Sequence, residues 1–102
     1  VITEEELVGI WVIDPVHGTR LAAAIRHYEV HGAELGAEDL DQYVRKAVAF
    51  SQEAKKRNGL GKIVGGLIPN VRRWKKLGKY IDVATNGEIV SFGRDYAADN
   101  IK

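Results

Sequence analysis

The histidines of this chain, His17, His27 and His31, all fall within its first 31 residues. His27 and His31 are four residues apart, so on a helix they share a face. Such a pair admits three readings. One is metal binding, but in His27-Tyr28-Glu29-Val30-His31 the glutamate does not directly follow the first histidine, as the zincin pattern requires. Glu34 and His17 are the available third ligands. A second reading is a half-buried polar pair at a helix edge with no chemical role. The third is acid–base chemistry, because imidazole both takes and gives a proton near neutral pH. Two such groups within reach of one substrate suit RNA transesterification, in which a ribose 2′-hydroxyl loses a proton and the departing 5′-oxygen gains one. The phosphorane between those steps needs cationic donors.

The run Val71-Arg72-Arg73-Trp74-Lys75-Lys76-Leu77-Gly78-Lys79-Tyr80 supplies cations. On a strand, Arg73 and Lys75 point to one face, and Arg72, Trp74 and Lys76 to the other. Which face is open is not fixed by the pattern, so Arg72, Arg73, Lys75 and Lys76 are all candidate phosphate ligands. Trp74 and Tyr80 interleave with them, as where unstacked bases rest on aromatic rings. The plainer alternative makes Trp74 a core anchor and the cations solubilising groups on an edge strand. Further on, Ser91 projects a hydroxyl from a predicted strand beside Gly93-Arg94, where it could bond a scissile phosphate. There is no P-loop, no dinucleotide glycine motif after a strand and no carboxylate cluster of the magnesium-nuclease kind.

These groups need elements to position them. Thr3-Glu4-Glu5-Glu6 forms a capping box, and residues 7–13 finish a short helix or form a strand that Asp14-Pro15 ends. Residues 19–31 read as a helix with Leu21, Ala24, Ile25 and Tyr28 on its apolar stripe and Gly32 as its left-handed terminator. A second helix is predicted over 37–57, with Leu40, Tyr43, Val44, Ala47 and Phe50 facing inward and Asn58-Gly59 as its stop. Glycines crowd residues 59–66, which read as a flexible connector. Strands follow near 70–76, 79–84 and 88–92, with Val90 and Phe92 on the core face of the last and Ile89 and Ser91 opposite. Asn86-Gly87 predicts a type I′ hairpin. The tail, residues 94–102, reads as polar and frayed. Helices first and an antiparallel sheet after them define an α+β fold.

The composition sharpens this. The chain has 102 residues, 15 Lys and Arg against 14 Asp and Glu, and no cysteine. Disulfide scaffolds, zinc–thiolate sites and thiol catalysis are thereby excluded. No apolar run approaches the ~20 residues of a membrane span, and the acidic start is unlike a signal peptide. The near-zero net charge hides a segregation. Residues 1–53 net −6, residues 54–81 carry nine cations and no acid, and residues 82–102 net −2. A basic segment of this kind argues for a polyanionic partner. Methionine is absent even at position 1, which leads us to expect a fragment of a longer polypeptide.

The segment from His27 through Gly32-Ala33-Glu34-Leu35-Gly36, then Leu40-Asp41-Gln42-Tyr43 and Ala47 to Phe50, resembles the opening of many bacterial polymorphic-toxin nuclease domains. Those read His-x-x-x-His-Gly-x-Glu-aromatic-Gly, a tyrosine, then Ala-x-x-Phe; Leu35 stands here where an aromatic is usual. The ending, from Tyr80 to Asn86-Gly87-Glu88-Ile89-Val90-Ser91-Phe92, looks like their closing hairpin. The resemblance spans about residues 20–93 and points to the barnase/EndoU/colicin/RelE-like group of metal-independent ribonucleases, which includes toxins of contact-dependent growth inhibition. It implies N-terminal helices packed on a C-terminal twisted antiparallel sheet, within one nuclease domain over 1–102 (helical half 1–58, sheet half 59–102). The active site would lie on the open sheet face. The implied activity is an endoribonuclease toxin that cleaves RNA, notably tRNA, to a 2′,3′-cyclic phosphate without metal or cofactor. The resemblance matches His27, His31 and Ser91 to catalytic positions. We expect one histidine to act as acid–base group and the other to orient it or the substrate, with Tyr80 and Ser91 as the further catalytic residues that position the scissile group. The resemblance further implies release from a secreted or cell-surface toxin into a target bacterial cytoplasm, and neutralisation by a cognate acidic immunity protein docked over 70–80. The competing expectation is a non-catalytic nucleic-acid-binding or protein-interaction module using that same basic segment.

Overall fold

A computed structural model of the chain describes residues 2–56, 61–64, 66 and 68–96. Two helices precede a four-stranded antiparallel sheet of order β1-β2-β3-β4, an α+β fold. The helices are α1 (Arg20–His31) and α2 (Leu40–Lys56). The strands are β1 (Ile63–Val64), β2 (Val71–Lys76), β3 (Lys79–Val83) and β4 (Ile89–Arg94). Among the described residues, no helix is long and apolar enough to cross a membrane.

The capping box forms at the chain's start. The Glu6 carboxylate accepts from the Thr3 amide at 3.1 Å and Thr3 Oγ1 accepts from the Glu6 amide at 3.4 Å, and a single 3-10 turn follows. Trp11 then bridges in parallel to Ile89. The Ile89 amide donates to Ile10 O at 2.7 Å and the Val12 amide to Ile89 O at 3.0 Å, so this segment covers the outer edge of β4. Arg20 clamps it, donating to Trp11 O and pairing with Glu88, whose carboxylate also accepts from the Gly9 amide.

Thr19 caps α1 through the Ala22 amide, and Asp39 caps α2 through the Gln42 amide. The inward face of α2 carries Tyr43, Val44 and Ala47, with Ser51 and Ala54 continuing it. Its Phe50 packs on Trp74 and Phe92 at centroid separations of 4.9 and 5.5 Å. Trp74 is therefore a core anchor. The inward face of α1 keeps Leu21, Ala24 and Tyr28 of the expected stripe but takes Ala23 in place of Ile25. Ala23 and Ala24 are fully buried, whereas Ile25 is 39% exposed. The row Ala23, His27, His31 thus follows a buried small residue, which turns both histidines inward.

Gly32 is right-handed (φ −57°) and the chain runs on through a second 3-10 turn; the left-handed terminator is Gly36 (φ +70°). Gly32 is required for another reason: a Cβ there would lie 2.6 Å from the Tyr28 ring and carbonyl. The predicted stop of α2 at Asn58-Gly59 lies outside the described residues, as does the tail from 97 onward.

The expected connector over 59–66 contributes β1, which pairs antiparallel with β2 through Ile63 and Arg72. The two-residue hairpin with positive φ at both centres is not at Asn86-Gly87 but at Leu77 (φ +55°) and Gly78 (φ +77°), between Lys76 and Lys79. The β3–β4 loop has three residues instead. The Gly87 amide donates to Ala84 O, the Ala84 amide to Glu88 O, and only Gly87 is left-handed. Val83 pairs with Ile89 but Asp82 with Ser91, so Val90 is the extra residue of a β-bulge. On a regular strand Ile89 and Phe92 would point oppositely. The bulge lets both enter the core at 2% exposure and leaves Val90, expected in the core, half-buried against its margin.

Candidate active site

Sheet register decides which cations meet which chemistry. Arg73, Asp82 and Ser91 are aligned across β2, β3 and β4, and so are Lys75, Tyr80 and Gly93. These two rows occupy the sheet face opposite the helix-packed row Trp74, Ile81 and Phe92. Arg72 and Lys76 alternate with Arg73 and Lys75 and so leave this face. Lys76 pairs with Glu53 of α2 at 2.5 Å, and Arg72 donates to Gly61 O. The four-cation phosphate site expected from the sequence therefore divides, and Arg73 and Lys75 are the pair that shares the face with Tyr80 and Ser91.

His31, on the last turn of α1, reaches over β4 onto this face. Its ring meets Tyr80 edge-on at a centroid separation of 6.1 Å, with Nε2 3.5 Å from the Tyr80 hydroxyl. Tyr80 Oη lies 3.0 Å from Ser91 Oγ. Gly93 makes this approach possible, since a Cβ there would sit 2.9 Å from Tyr80 Oη and 3.0 Å from His31 Nδ1. His31 Nδ1 contacts the Glu34 carboxylate at 3.1 Å. An ionised carboxylate only accepts, so Nδ1 carries the proton and a neutral His31 presents the Nε2 lone pair to Tyr80. Burial pushes the Glu34 carboxyl up, but the Arg94 amide, Tyr96 hydroxyl and His31 outweigh it and hold the carboxyl below its ordinary value.

The Arg73 guanidinium lies 4.2 Å from the Tyr80 ring centroid and grips Asp82 with two hydrogen bonds of 2.7 and 2.9 Å. That fork fixes its plane. Lys62, Arg73 and Lys75 line one hollow of about 330 Å³ on this face. Lys75 also lies 3.7 Å from Asp95. Burial raises the Tyr80 hydroxyl above its usual value, against the lowering by its bond to Ser91, so Tyr80 is a neutral phenol at pH 7.

His27 stacks beside His31 at a 6.0 Å centroid separation and 22° between planes, and its other neighbour is Trp11 at 5.8 Å. Burial, then the charges of His31 and His17, push its pKa down to about 4. It is neutral at working pH and has no proton to give there.

His17, named from the sequence only as a candidate third metal ligand, is held in a turn beside His27. Asp14 accepts from the Val16 and His17 amides and holds the His17 ring Nδ1 at 2.6 to 2.8 Å. Burial pushes the Asp14 carboxyl up, yet these donors overcome it and leave it below its ordinary value. Asp14-Pro15-Val16-His17 is a side-chain-bonded turn. The Asp-Pro pair signalled the turn, but nothing in the sequence placed its histidine near His27. A cavity of about 180 Å³ is lined by Asp14, His17, His27, Val71, Asp82 and Val90 among others. Among the described residues, no three His, Cys, Asp or Glu side chains come together as a metal-binding group.

Compared with known protein families, with curated proteins and with solved structures, the chain shows no match.

Proposed function

We propose that the protein is a metal-independent endoribonuclease acting by 2′-hydroxyl transesterification. The observation that carries this reading is the convergence of His31, Tyr80, Ser91 and Arg73 on one sheet face over Gly93. His31 Nε2, with Nδ1 held by Glu34, is the base that takes the 2′-proton. The 2′-oxygen forms its bond to phosphorus as the bond to the 5′-oxygen breaks. Tyr80, kept protonated by burial, gives its proton to that departing oxygen. The imidazolium of His31 then returns a proton to Tyr80 directly, which closes the cycle and leaves a 2′,3′-cyclic phosphate and a 5′-hydroxyl. Arg73, with Lys75 beside it, supplies positive charge to the phosphorane, and Ser91 orients the Tyr80 hydroxyl. His27 is a positioning residue that stacks on His31.

The finer assignments belong to the same proposal. These are the barnase/EndoU/colicin/RelE-like fold group, tRNA as the RNA cut, delivery as a toxin in bacterial competition, and an acidic immunity protein as the inhibitor. The sequence resemblance supports them, together with the cationic hollow of Lys62, Arg73 and Lys75, which suits an RNA strand or an acidic protein.

The test is incubation of the protein with total RNA in EDTA. The expected result is cleavage to cyclic-phosphate ends that a His31→Ala variant does not produce. Cleavage that requires added magnesium or zinc sinks the metal-free mechanism. Salt-sensitive binding without any strand scission reduces the face to a nucleic-acid-binding surface.

A further inference from the structure

The cavity of about 180 Å³ beside the His31–Tyr80 group is not used by the chemistry above. It is small against the ~300–1,000 Å³ of pockets for drug-sized ligands, so it admits one ring system and not a whole nucleotide. Its sides are apolar, with Val64, Val71 and Val90 contributing. The residues with polar side chains on its lining are Asp14, His17, His27 and Asp82. Flat faces between aliphatic walls and polar atoms at the edge are what a nucleobase requires.

Its walls are also fixed. Asp14 locks the His17 ring, Arg73 locks the Asp82 carboxylate, and Val90 at the β-bulge lines the cavity while packing on the core margin. The cavity joins the phosphate-binding face through two shared groups. Asp82 is gripped by Arg73, which covers Tyr80, and His27 stacks on His31. A base seated here would leave its own sugar and phosphate at the cationic hollow, the second half of what a nucleotide presents.

We propose that this cavity is a nucleobase subsite that takes one unstacked base of the RNA next to the cleaved linkage. Asp82 is a pure acceptor, and each oxygen keeps a lone pair after bonding Arg73. It therefore favours a base with an exocyclic amino group, adenine, cytosine or guanine, over uracil. The inference rests on the ribonuclease reading for its substrate, but its binding is measured without cleavage.

The experiment is amide chemical-shift titration of the wild-type protein with the four nucleoside 5′-monophosphates and with ribose 5-phosphate. The amino-bearing nucleotides are expected to shift the amides of Val71, Asp82 and Val90 and to bind about 10-fold or more tighter than ribose 5-phosphate, the gain of holding one base between walls. Uridine 5′-monophosphate is expected to be the weakest nucleotide. Val90→Phe, which fills the cavity, should remove the Val71 and Asp82 shifts and raise KM for RNA with kcat unchanged. If ribose 5-phosphate and the nucleotides bind equally and shift the same amides, or if none binds, the subsite is overturned even where RNA is cut. Base-dependent shifts in a protein that cuts no RNA would uphold the subsite and overturn the ribonuclease reading.

Discussion

His27 makes a prediction with a calculable size. Its imidazole titrates near 6.5 in the unfolded chain and near 4 in the folded protein, because burial against Trp11 and the charges of His31 and His17 disfavour the imidazolium. A depressed pKa stabilises the fold fully above the unfolded value. That stabilisation is lost as pH falls through 6.5 toward 4, since the unfolded chain then binds the proton and the folded one does not. Between about pH 7.5 and about pH 4.5 the loss from this one group is about 2.5 kcal/mol. The assay is urea unfolding of the wild type and of His27→Gln at both pH values, with the midpoints compared at common slope. Glutamine does not titrate, so the variant should lose about 2.5 kcal/mol less on acidification. Asp14 and Glu34, whose carboxyl pKa values are also lowered, act in both proteins alike and cancel in the difference. Parallel pH dependences in the two proteins would refute the buried, neutral His27, and with it the exclusion of that residue as proton donor.

Gly93→Ala places a methyl 2.8 Å from Tyr80 Cε2 and 3.0 Å from His31 Nδ1. We expect a stability loss of about 1–3 kcal/mol and RNA cleavage about 10- to 100-fold slower; a wild-type rate would remove the His31–Tyr80 contact from the machinery. Lys75→Ala should weaken RNA binding and lower its salt slope by about 1, whereas Lys76→Ala, which loses its bond to Glu53, should leave the slope unchanged. Equal effects in a salt titration would contradict the assignment of faces. Leu77 is 83% exposed at φ +55°, so Leu77→Asn should raise the unfolding free energy by about 1 kcal/mol; a fall in the urea midpoint would contradict the turn assignment.

Local pattern carried much of the architecture. Thr3 and Glu6 announced their capping box, the stripe from Leu40 to Phe50 faces the core, and the three longer strands lie within two residues of where propensity put them. These features depend on neighbours a few positions away. The errors share a different cause. Ile25 has the right spacing for a buried stripe, yet the face that α1 buries is set by the sheet edge it meets, and beside the expected Ala24 that edge selects Ala23. Asn86-Gly87 is the stronger type I′ signal, yet register across β2 and β3 required the tight turn at Leu77-Gly78. The two-residue β1 is held by its partner strand and carries almost no signal of its own.

The candidate site divides the same way. The sequence by itself determined the chemical repertoire: three early histidines, a cationic strand, a tyrosine and a serine spaced to share a sheet face, and no thiol. Alternation alone separated Arg73 and Lys75 from Arg72 and Lys76, because side chains on a strand alternate whatever the fold. Which pair faces the chemistry was decided by tertiary packing, since burying Trp74 against Phe50 forces Arg73 and Lys75 to the other side. The meeting of His31 with Tyr80, 49 residues apart, depends on α1 crossing β4 at a glycine. His17 comes to bound a cavity with His27 and Asp82 only because its turn packs beside them. Contacts of that range are set by how elements pack, and no local pattern encodes them.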